Sequence, residues 1–209
     1  GLDKAIKAIN YMLNLISGRL GLDHDRVFFG RYALPVMVHY YDKKGGILDE
    51  IEQDKLIFWY VQAAMWGRFS GSTESFIDKD LNVIEDKNGA LDRLIEQLRL
   101  WHGGLNAEAG HFEGWSMGAR FYPVLYMLTR VGEAKDWGTG LPLKQGLLGK
   151  KNKLEVHHIF PKAVLYQHDY SKSQVNAIAN FCFQTGHTNL KIGKREPREY
   201  FVEIESKHP

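Results

Sequence analysis

Apolar residues recur at three- and four-residue intervals over most of the first 140 residues, and this spacing predicts amphipathic helices. The segment LDKAIKAINYMLNLISGRLG shows it most clearly. Gly21 is suited to end that helix because glycine readily adopts the left-handed conformation. We expect one stripe of the helix to be buried, formed by Leu2, Ile6, Ile9, Leu13, Ile16 and Leu20.

Four further helices are predicted from the same spacing. RYALPVMVHYYDKKGG has Pro35 where a first helical turn tolerates it. EQDKLIFWYVQAAMWG is apolar almost all round, so we expect it to be central and buried. GWSMGARFYPVLYMLTRVG is an apolar helix that Pro123 either kinks or begins. GALDRLIEQLRLW is amphipathic, with the inward positions Leu91, Leu94, Ile95, Leu98 and Trp101.

Two loops rich in glycine and small polar residues, GRFSGSTES and WHGGLNAEAGHFEGW, separate these helices. The first lacks both the GxxxxGK[ST] pattern and a preceding strand, which excludes a phosphate loop of that kind. Ser72 or Thr73 is interpreted as a helix N-cap. His102 and His111 have no cysteine partners, so we interpret them as loop histidines rather than metal ligands.

The composition changes near DWGTGLPLKQGLLGKKNK, a glycine-rich stretch that indicates a linker or a long loop. After it, LEVHHI predicts a short strand, and NAIANFCFQT contains a second strand that a turn at Gly186 ends. GKREPREYFVEIESK predicts a terminal helix with Pro197 near its first turn. The expected fold class is therefore α-dominated α+β, with a helical domain at residues 1–145 and a small ββα unit at residues 146–209.

The composition bounds the class of protein. The chain has 209 residues, of which 44% are hydrophobic, enough for a substantial core. No apolar run approaches the ~18 residues that a membrane span needs, and the charges in GLDKAIKAIN argue against a signal peptide. The single Cys182 excludes an internal disulfide and a four-cysteine zinc site. We expect a cytoplasmic protein with no membrane partner, and the absence of an initial Met favours a fragment of a longer chain.

The charge is unevenly distributed, although the net charge is only +2. Residues 150–209 carry ten Lys or Arg against six acidic residues, together with five of the nine histidines. The rest of the chain is slightly acidic. This distribution indicates either a surface that faces a polyanion or ordinary solvated side chains.

Histidine and asparagine residues mark the expected ββα unit. His157 and His158 end its first strand, Asn180 opens the second, and Asn189 follows nine residues later. The pattern VHHIFP…NFCFQ…HTNLK resembles the HNH, or ββα-metal, nuclease motif over about residues 154–201. GRFSGSTES and REPREYFVEIESKHP extend the likeness to the C-terminal half of GmrSD-type restriction and phage-defence proteins, including the phosphorothioate-sensing SspE group.

This resemblance implies a metal-dependent DNA endonuclease or nickase, which is a phosphodiester hydrolase. It implies His158 as the general base and His157 with Asn189 as ligands of Mg²⁺ or Mn²⁺. Asn180 takes the place of the middle Asn in the catalytic motif, which orients the loop by hydrogen bonding. A neutral imidazole suits a base, because its ordinary pKa of ~6.5 leaves it largely uncharged at pH 7. Adjacent strand side chains point to opposite faces, so the two histidines approach a phosphate from different sides.

One departure from the family pattern concerns the metal. His157 stands where Asp is commonest, and a neutral ligand makes metal affinity lower and more pH-dependent. Glu155, on the same strand face, is either a direct ligand or a partner of one. His187 is a further ligand, a phosphate contact or an ordinary loop histidine. The candidates for binding DNA backbone phosphates, which are otherwise ordinary surface residues, are Lys191, Lys194 and Arg195.

Two other functions remain open. A nucleic-acid-binding module on the same fold without catalysis is one, although the presence of both His158 and Asn189 argues against it. A toxin effector with the same motif is the other, and the long helical body fits it less well. The implied partners are DNA and an N-terminal sensor or nucleotide-binding domain that this chain does not contain.

Overall fold

The computed structural model describes residues 1–23, 27–112, 121–144 and 154–208. The chain divides into two compact units, Gly1–Ala107 and Glu108–Pro209. Within the described ranges it forms ten α-helices and one antiparallel sheet of two strands, so the expected α-dominated α+β class is confirmed. None of the described helices is long and apolar enough to cross a membrane.

The first unit is helical. Its helices are α1 Leu2–Leu20, α2 Leu34–Lys43, α3 Glu50–Trp66, α4 Thr73–Val83 and α5 Ala90–His102. Pro35 lies in the first turn of α2, as the sequence predicts. A reciprocal pair of hydrogen bonds between Asp49 and Glu52 caps α3, which ends at Gly67 in the left-handed conformation.

Helix α3 supplies much of the core of this unit. Trp59 and Tyr60 are fully buried in it, which confirms that the nearly all-apolar segment is central. On α5, the predicted inward positions Leu94 and Leu98 are also fully buried. Trp101, predicted to face inward as well, is 38% exposed, although its ring meets Phe76 edge to face at 5.7 Å.

The predicted stripe of α1 is wrong in its first half. Leu2, Ile6 and Ile9 are exposed, and the buried residues are Ala8, Met12, Ile16 and Leu20. Helix α1 packs against α2 through this second line of residues at four-residue intervals. The sequence holds two overlapping apolar lines, and only the packing partner decides which one is covered.

The loop after α3 is fixed by a buried ion pair. Arg68 donates from Nε and Nη2 to the two carboxylate oxygens of Asp80, at 2.7 and 2.6 Å. Its guanidinium also lies 5.0 Å from the centre of the Phe76 ring. Burial raises the pKa of Asp80, and the paired guanidinium opposes that shift. The predicted N-cap Ser72 directly precedes α4, but its side chain makes no capping hydrogen bond.

The second unit contains all the predicted site residues. Its elements are α6 Phe121–Val131, β1 Leu154–His158, α7 Lys162–Gln167, α8 Lys172–Val175, β2 Phe181–Thr185, α9 Gly186–Ile192 and α10 Pro197–Lys207. Pro123 lies in the first turn of the described part of α6, whereas residues 113–120, predicted to precede it, lie outside the described residues. The predicted domain boundary near residue 145 also falls outside them.

Candidate functional site

The two strands place both histidines at one end of a short antiparallel ladder. Strand β1 pairs with β2 in a register that sets His157 opposite Cys182 and His158 opposite Phe181. The chain leaves β1 at His158 and returns only at Phe181, after α7 and α8. The site is thus built where the ladder ends and the connection begins.

Helix α9 follows β2 without a turn, which differs from the sequence prediction. Thr185 is its N-cap, with a hydroxyl that accepts a hydrogen bond from the Thr188 amide at 3.3 Å, and Gly186 is its first residue. The sequence predicts a turn at Gly186 and places Asn189 in the approach to the terminal helix. That prediction is wrong. Helix α9 cannot be recognised in the sequence because its seven residues are too few to show a helical periodicity.

Asn189, on α9, forms hydrogen bonds with two residues of β1. The Nδ1 atom of His157 lies 2.8 Å from the Oδ1 atom of Asn189. The Nδ2 group of Asn189 donates to Oε2 of Glu155 at 2.9 Å. Glu155 and His157 share a strand face because they are two residues apart. The structure therefore brings together both predicted ligands and the predicted accessory carboxylate.

His157 is enclosed by aromatic side chains. It is 3% exposed, and the rings of Trp137 and Tyr200 meet it edge to face at 5.7 and 6.0 Å between centroids. Burial lowers the pKa of His157, and its hydrogen bond with Asn189 opposes that shift without cancelling it. The imidazole is therefore neutral at pH 7, which is the form that binds metal ions.

His158 has different neighbours. Its ring meets Phe181 edge to face at 4.7 Å, and its Nε2 atom is shielded from solvent without a hydrogen-bond partner among the described residues. Burial lowers the pKa of His158, the charge of Lys162 lowers it further, and a hydrogen bond with Asn176 opposes both effects. His158 is therefore a neutral imidazole with a free nitrogen, which is what a general base requires.

Asn180 closes the connection between the strands. Its Oδ1 atom accepts from the Phe160 amide at 2.8 Å, and its Nδ2 group donates to the carbonyls of Phe160 and Val175 at 3.1 Å each. Its own carbonyl accepts from the Ile159 amide at 2.9 Å. The side chain is buried and all its polar atoms are engaged with main chain. Asn180 thus holds the segment that directly follows His158, as predicted for the middle Asn.

Asp136, a residue that the sequence places only in a linker or long loop, anchors α9. Its fully buried carboxylate accepts hydrogen bonds from the Thr188 hydroxyl at 2.6 Å and from the Thr185 amide at 2.9 Å. It also accepts from the Gly138 amide and from the amide and hydroxyl of Thr139. Burial alone would raise the pKa of Asp136, but these hydrogen bonds together hold it below its ordinary value.

The turn after Asp136 fits closely against α9. A Cβ atom added to Gly138 would lie 2.3 Å from the Thr188 hydroxyl, so no larger residue fits there without a shift. The Trp137 amide donates to Oε1 of Gln184 at 2.8 Å, and its ring stacks on Tyr200. The sequence contains a signal for this turn, because Asp136 lies two residues before Gly-Thr-Gly, and an Asp side chain commonly accepts from the backbone of its own turn two residues on.

The predicted phosphate-binding residues differ in their availability. Lys191 and Lys194 are exposed and form no ion pair with a described residue. Arg195 donates to Glu203 at 2.8 Å, and Glu203 also pairs with Lys207. Arg195 is therefore less available to a phosphate than the two lysines. His187 is exposed on α9, and its side chain makes no hydrogen bond within the described ranges.

His157 and Asn189 are the residues that could hold a hard divalent cation. The 2.8 Å between His157 Nδ1 and Asn189 Oδ1 is a hydrogen-bond distance, so the second lone pair of that oxygen and the buried, unpartnered Nε2 atom of His157 remain for the cation. Across the described residues no three His, Cys, Asp or Glu side chains group as metal ligands. One imidazole and one amide oxygen leave several positions for water or phosphate oxygens, as Mg²⁺ sites commonly do.

Comparison with known proteins finds a similar protein but indicates no function for this chain. The chain is 27% identical over 158 residues to "Uncharacterized protein MJ0686" of Methanocaldococcus jannaschii, a match over 73% of this chain and 26% of that protein. The chain thus spans about a quarter of that relative's length. No protein-family profile matches the chain, and no solved structure matches it. The functional argument therefore rests on the geometry of the second unit.

Proposed function

We propose that the second unit is an HNH-type, ββα-metal endonuclease or nickase that hydrolyses phosphodiester bonds in DNA. The observation that carries this proposal is that the two histidines at the end of β1 have different surroundings. Both imidazoles keep an Nε2 atom without a hydrogen-bond partner among the described residues, but His157 lies 2.8 Å from Asn189, whereas His158 lies beside Asn176 and Lys162. One neutral imidazole is thus available to a cation, and the other is available to a proton.

The chain's own residues account for the steps of hydrolysis. His158 accepts the proton of the attacking water at Nε2, and Asn180 fixes the backbone that carries the base. His157 and Asn189 would hold the cation, and the exposed Lys191 and Lys194 would contact neighbouring phosphates. Mg²⁺ or Mn²⁺, when bound, supplies Lewis acidity that stabilises charge on the phosphate and the leaving oxygen.

The wider assignment follows the resemblance of the sequence. We place the activity in a cytoplasmic restriction or phage-defence system, where a sensor or nucleotide-binding domain outside this chain selects the DNA. The exposed lysines recognise phosphates and not bases, so this chain alone is expected to bind DNA without sequence preference.

The test is incubation of supercoiled plasmid with the protein in Mg²⁺, in Mn²⁺ and in excess EDTA. Nicked or linear product in either metal, with none in EDTA, is the expected result. Full activity in EDTA would exclude the metal-dependent mechanism. Binding of DNA without cleavage in either metal would favour the alternative, a non-catalytic nucleic-acid-binding module on this fold.

The role of Asn189 is tested in the same assay. Asn189→Ala removes one of two protein ligands, so the rate should fall steeply in Mg²⁺ and recover in part at high Mn²⁺. Mn²⁺ binds sites containing imidazole more tightly than Mg²⁺ does. Gln167→Ala is the matched control, because it removes an exposed amide of the same unit that is not a proposed ligand. An unchanged rate and unchanged metal requirement in Asn189→Ala would remove Asn189 from the ligand set.

A further inference from the structure

Glu155 holds one of the proposed ligands in a defined orientation. Its Oε2 atom accepts from the Nδ2 group of Asn189 at 2.9 Å. The Oδ1 atom of the same amide is thereby left facing Nδ1 of His157 at 2.8 Å. Asn189 lies between Glu155 and His157, and only one orientation of its amide makes both of these contacts.

The orientation matters because the two ends of an amide have similar shape and opposite chemistry. Only the oxygen binds a cation, whereas the NH₂ group only donates hydrogen bonds. A carboxylate accepts and never donates when it is ionised. Beside Glu155, Asn189 therefore satisfies the carboxylate only by presenting its NH₂ group to it, and its oxygen must then point toward His157.

Glu155 is placed for this task by its surroundings. It lies on the same face of β1 as His157, two residues away, and its carboxylate packs against the first residue of α9. A Cβ atom added to Gly186 would lie 3.1 Å from Oε1 of Glu155, so glycine leaves the space that the carboxylate uses. The same helix start is held on its other side by Asp136 through Thr188.

We propose that Glu155 is a positioning residue, which keeps the oxygen of Asn189 toward His157 and the cation without being a ligand itself. The cation part of this proposal rests on the proposed nuclease function, whereas the orientation of the amide does not. Residues that orient metal ligands typically change metal affinity by about 10–100-fold when removed.

The experiment compares Glu155→Ala, Glu155→Gln and the control Glu205→Ala, which removes an exposed acid from α10 of the same unit. Mn²⁺ affinity is measured by electron paramagnetic resonance of free Mn²⁺. The protonated nitrogen of His157 is identified by ¹⁵N NMR in metal-free protein, and unfolding midpoints check the fold. In wild type we expect the hydrogen on Nδ1, because the oxygen of Asn189 faces it.

Glu155→Ala should weaken Mn²⁺ binding about 10–100-fold and mix the two nitrogen forms of His157. Glu155→Gln should give an intermediate affinity, because its amide accepts from Asn189 in only one of its own two orientations. Equal losses in the Gln and Ala variants would overturn the proposal, since they would make Glu155 a ligand through its charge. Unchanged NMR signals and affinity in Glu155→Ala would also overturn it.

Failure of the nuclease proposal gives a different pattern. Wild-type protein that binds no Mn²⁺ and cuts no plasmid would exclude the metal-dependent function. If His157 still responds to Glu155→Ala in that protein, the orienting role of Glu155 stands alone. If it does not respond, both proposals fail.

Discussion

The two units of this chain bury different kinds of residue. Of the buried polar or charged residues in the described ranges, the first unit holds only Arg68 and Asp80, which pair with each other. The second unit holds the other eight, which are Thr129, Arg130, Asp136, His157, Asn180, Gln184, Thr185 and Thr188. Buried apolar residues are in contrast concentrated in the first unit.

This difference indicates that buried residues mainly stabilise the first unit, whereas in the second unit they also fix the geometry of the candidate site. Burying a polar group is unfavourable unless it finds a hydrogen-bond partner, so each such group restricts how the surrounding chain is arranged. The first unit is stabilised mainly by non-directional apolar packing. The second unit accepts many directional bonds, and these bonds fix the positions of His158, Asn180 and Asn189.

The largest expected effect is on catalysis in the second unit. His158→Ala should lower the nicking rate about 10²–10⁴-fold, the usual contribution of a general base, with little change in the unfolding midpoint. The matched control is His168→Ala, an exposed histidine of the same unit. Initial rates on supercoiled plasmid provide the measurement. Equal rates for His158→Ala and wild type would show that another group takes the proton.

The next effect is on stability in the first unit. Leu94 is fully buried, so Leu94→Ala should destabilise that unit by about 2–5 kcal/mol while the nicking rate per folded molecule stays unchanged. Leu100→Ala on the same helix is the control, because that side chain is 76% exposed. Hydrogen exchange of α3 and α5 amides measures the loss. A lower nicking rate in fully folded Leu94→Ala protein would contradict the idea that the first unit contributes stability and not the geometry of the site.

Asp136→Asn should destabilise the second unit by about 1.5–3 kcal/mol, the usual range for hydrogen bonds to a charged group. The pKa of Asp136 is held below its ordinary 3.8, so its contribution is fully present above pH 3.8. It is lost as the pH falls toward the folded-state pKa. The difference between wild type and Asp136→Asn should therefore be largest at neutral pH and shrink below pH 3.8.

Hydrogen exchange of β1 and β2 amides at pH 7 and at low pH measures this difference. The control is Asp169→Asn, which changes an exposed acid of the same unit. A difference that grows as the pH falls would contradict the assigned role of the Asp136 carboxylate.

The smallest effect concerns the surface. Lys191→Ala with Lys194→Ala should weaken DNA binding and reduce the slope of log affinity against log salt by about 0.9 for each phosphate that is no longer neutralised. Adding Arg195→Ala should change the slope less, because Arg195 is paired with Glu203. The control removes two exposed lysines of the first unit, Lys7 and Lys87. Equal slopes for control and test variants would show that DNA binds another surface.

The sequence predicted the fold class and the longer helices well, because those features repeat over many residues. Pro35 marked the start of α2, and the apolar α3 is central. The covered face of α1 was not predictable, since Ile6 and Met12 are both apolar and only the packing partner separates them. Local patterns report periodicity, whereas burial depends on neighbours distant in sequence.

At the candidate site, the sequence predicted which residues come together more reliably than which residues support them. His157 and Asn189 are 32 residues apart and meet at 2.8 Å, and Asn180 bonds to the backbone as expected. Helix α9 was missed because of its length, and Asp136 was missed because its partners Thr185 and Thr188 lie some fifty residues away. Hydrogen bonds of that separation leave no local pattern.

The clamp that Asn180 forms has a consequence for how this site can change over evolution or by design. Phe160 and Asn180 join the two ends of the connection between the strands, and the bond from Asn180 to Val175 also fixes the end of α8. Lengthening a closed loop costs little, about 0.6 kcal/mol per doubling. The stretch between α7 and α8 is therefore a natural place to graft an additional recognition element, since the end of β1 that carries the two histidines would keep its own anchor.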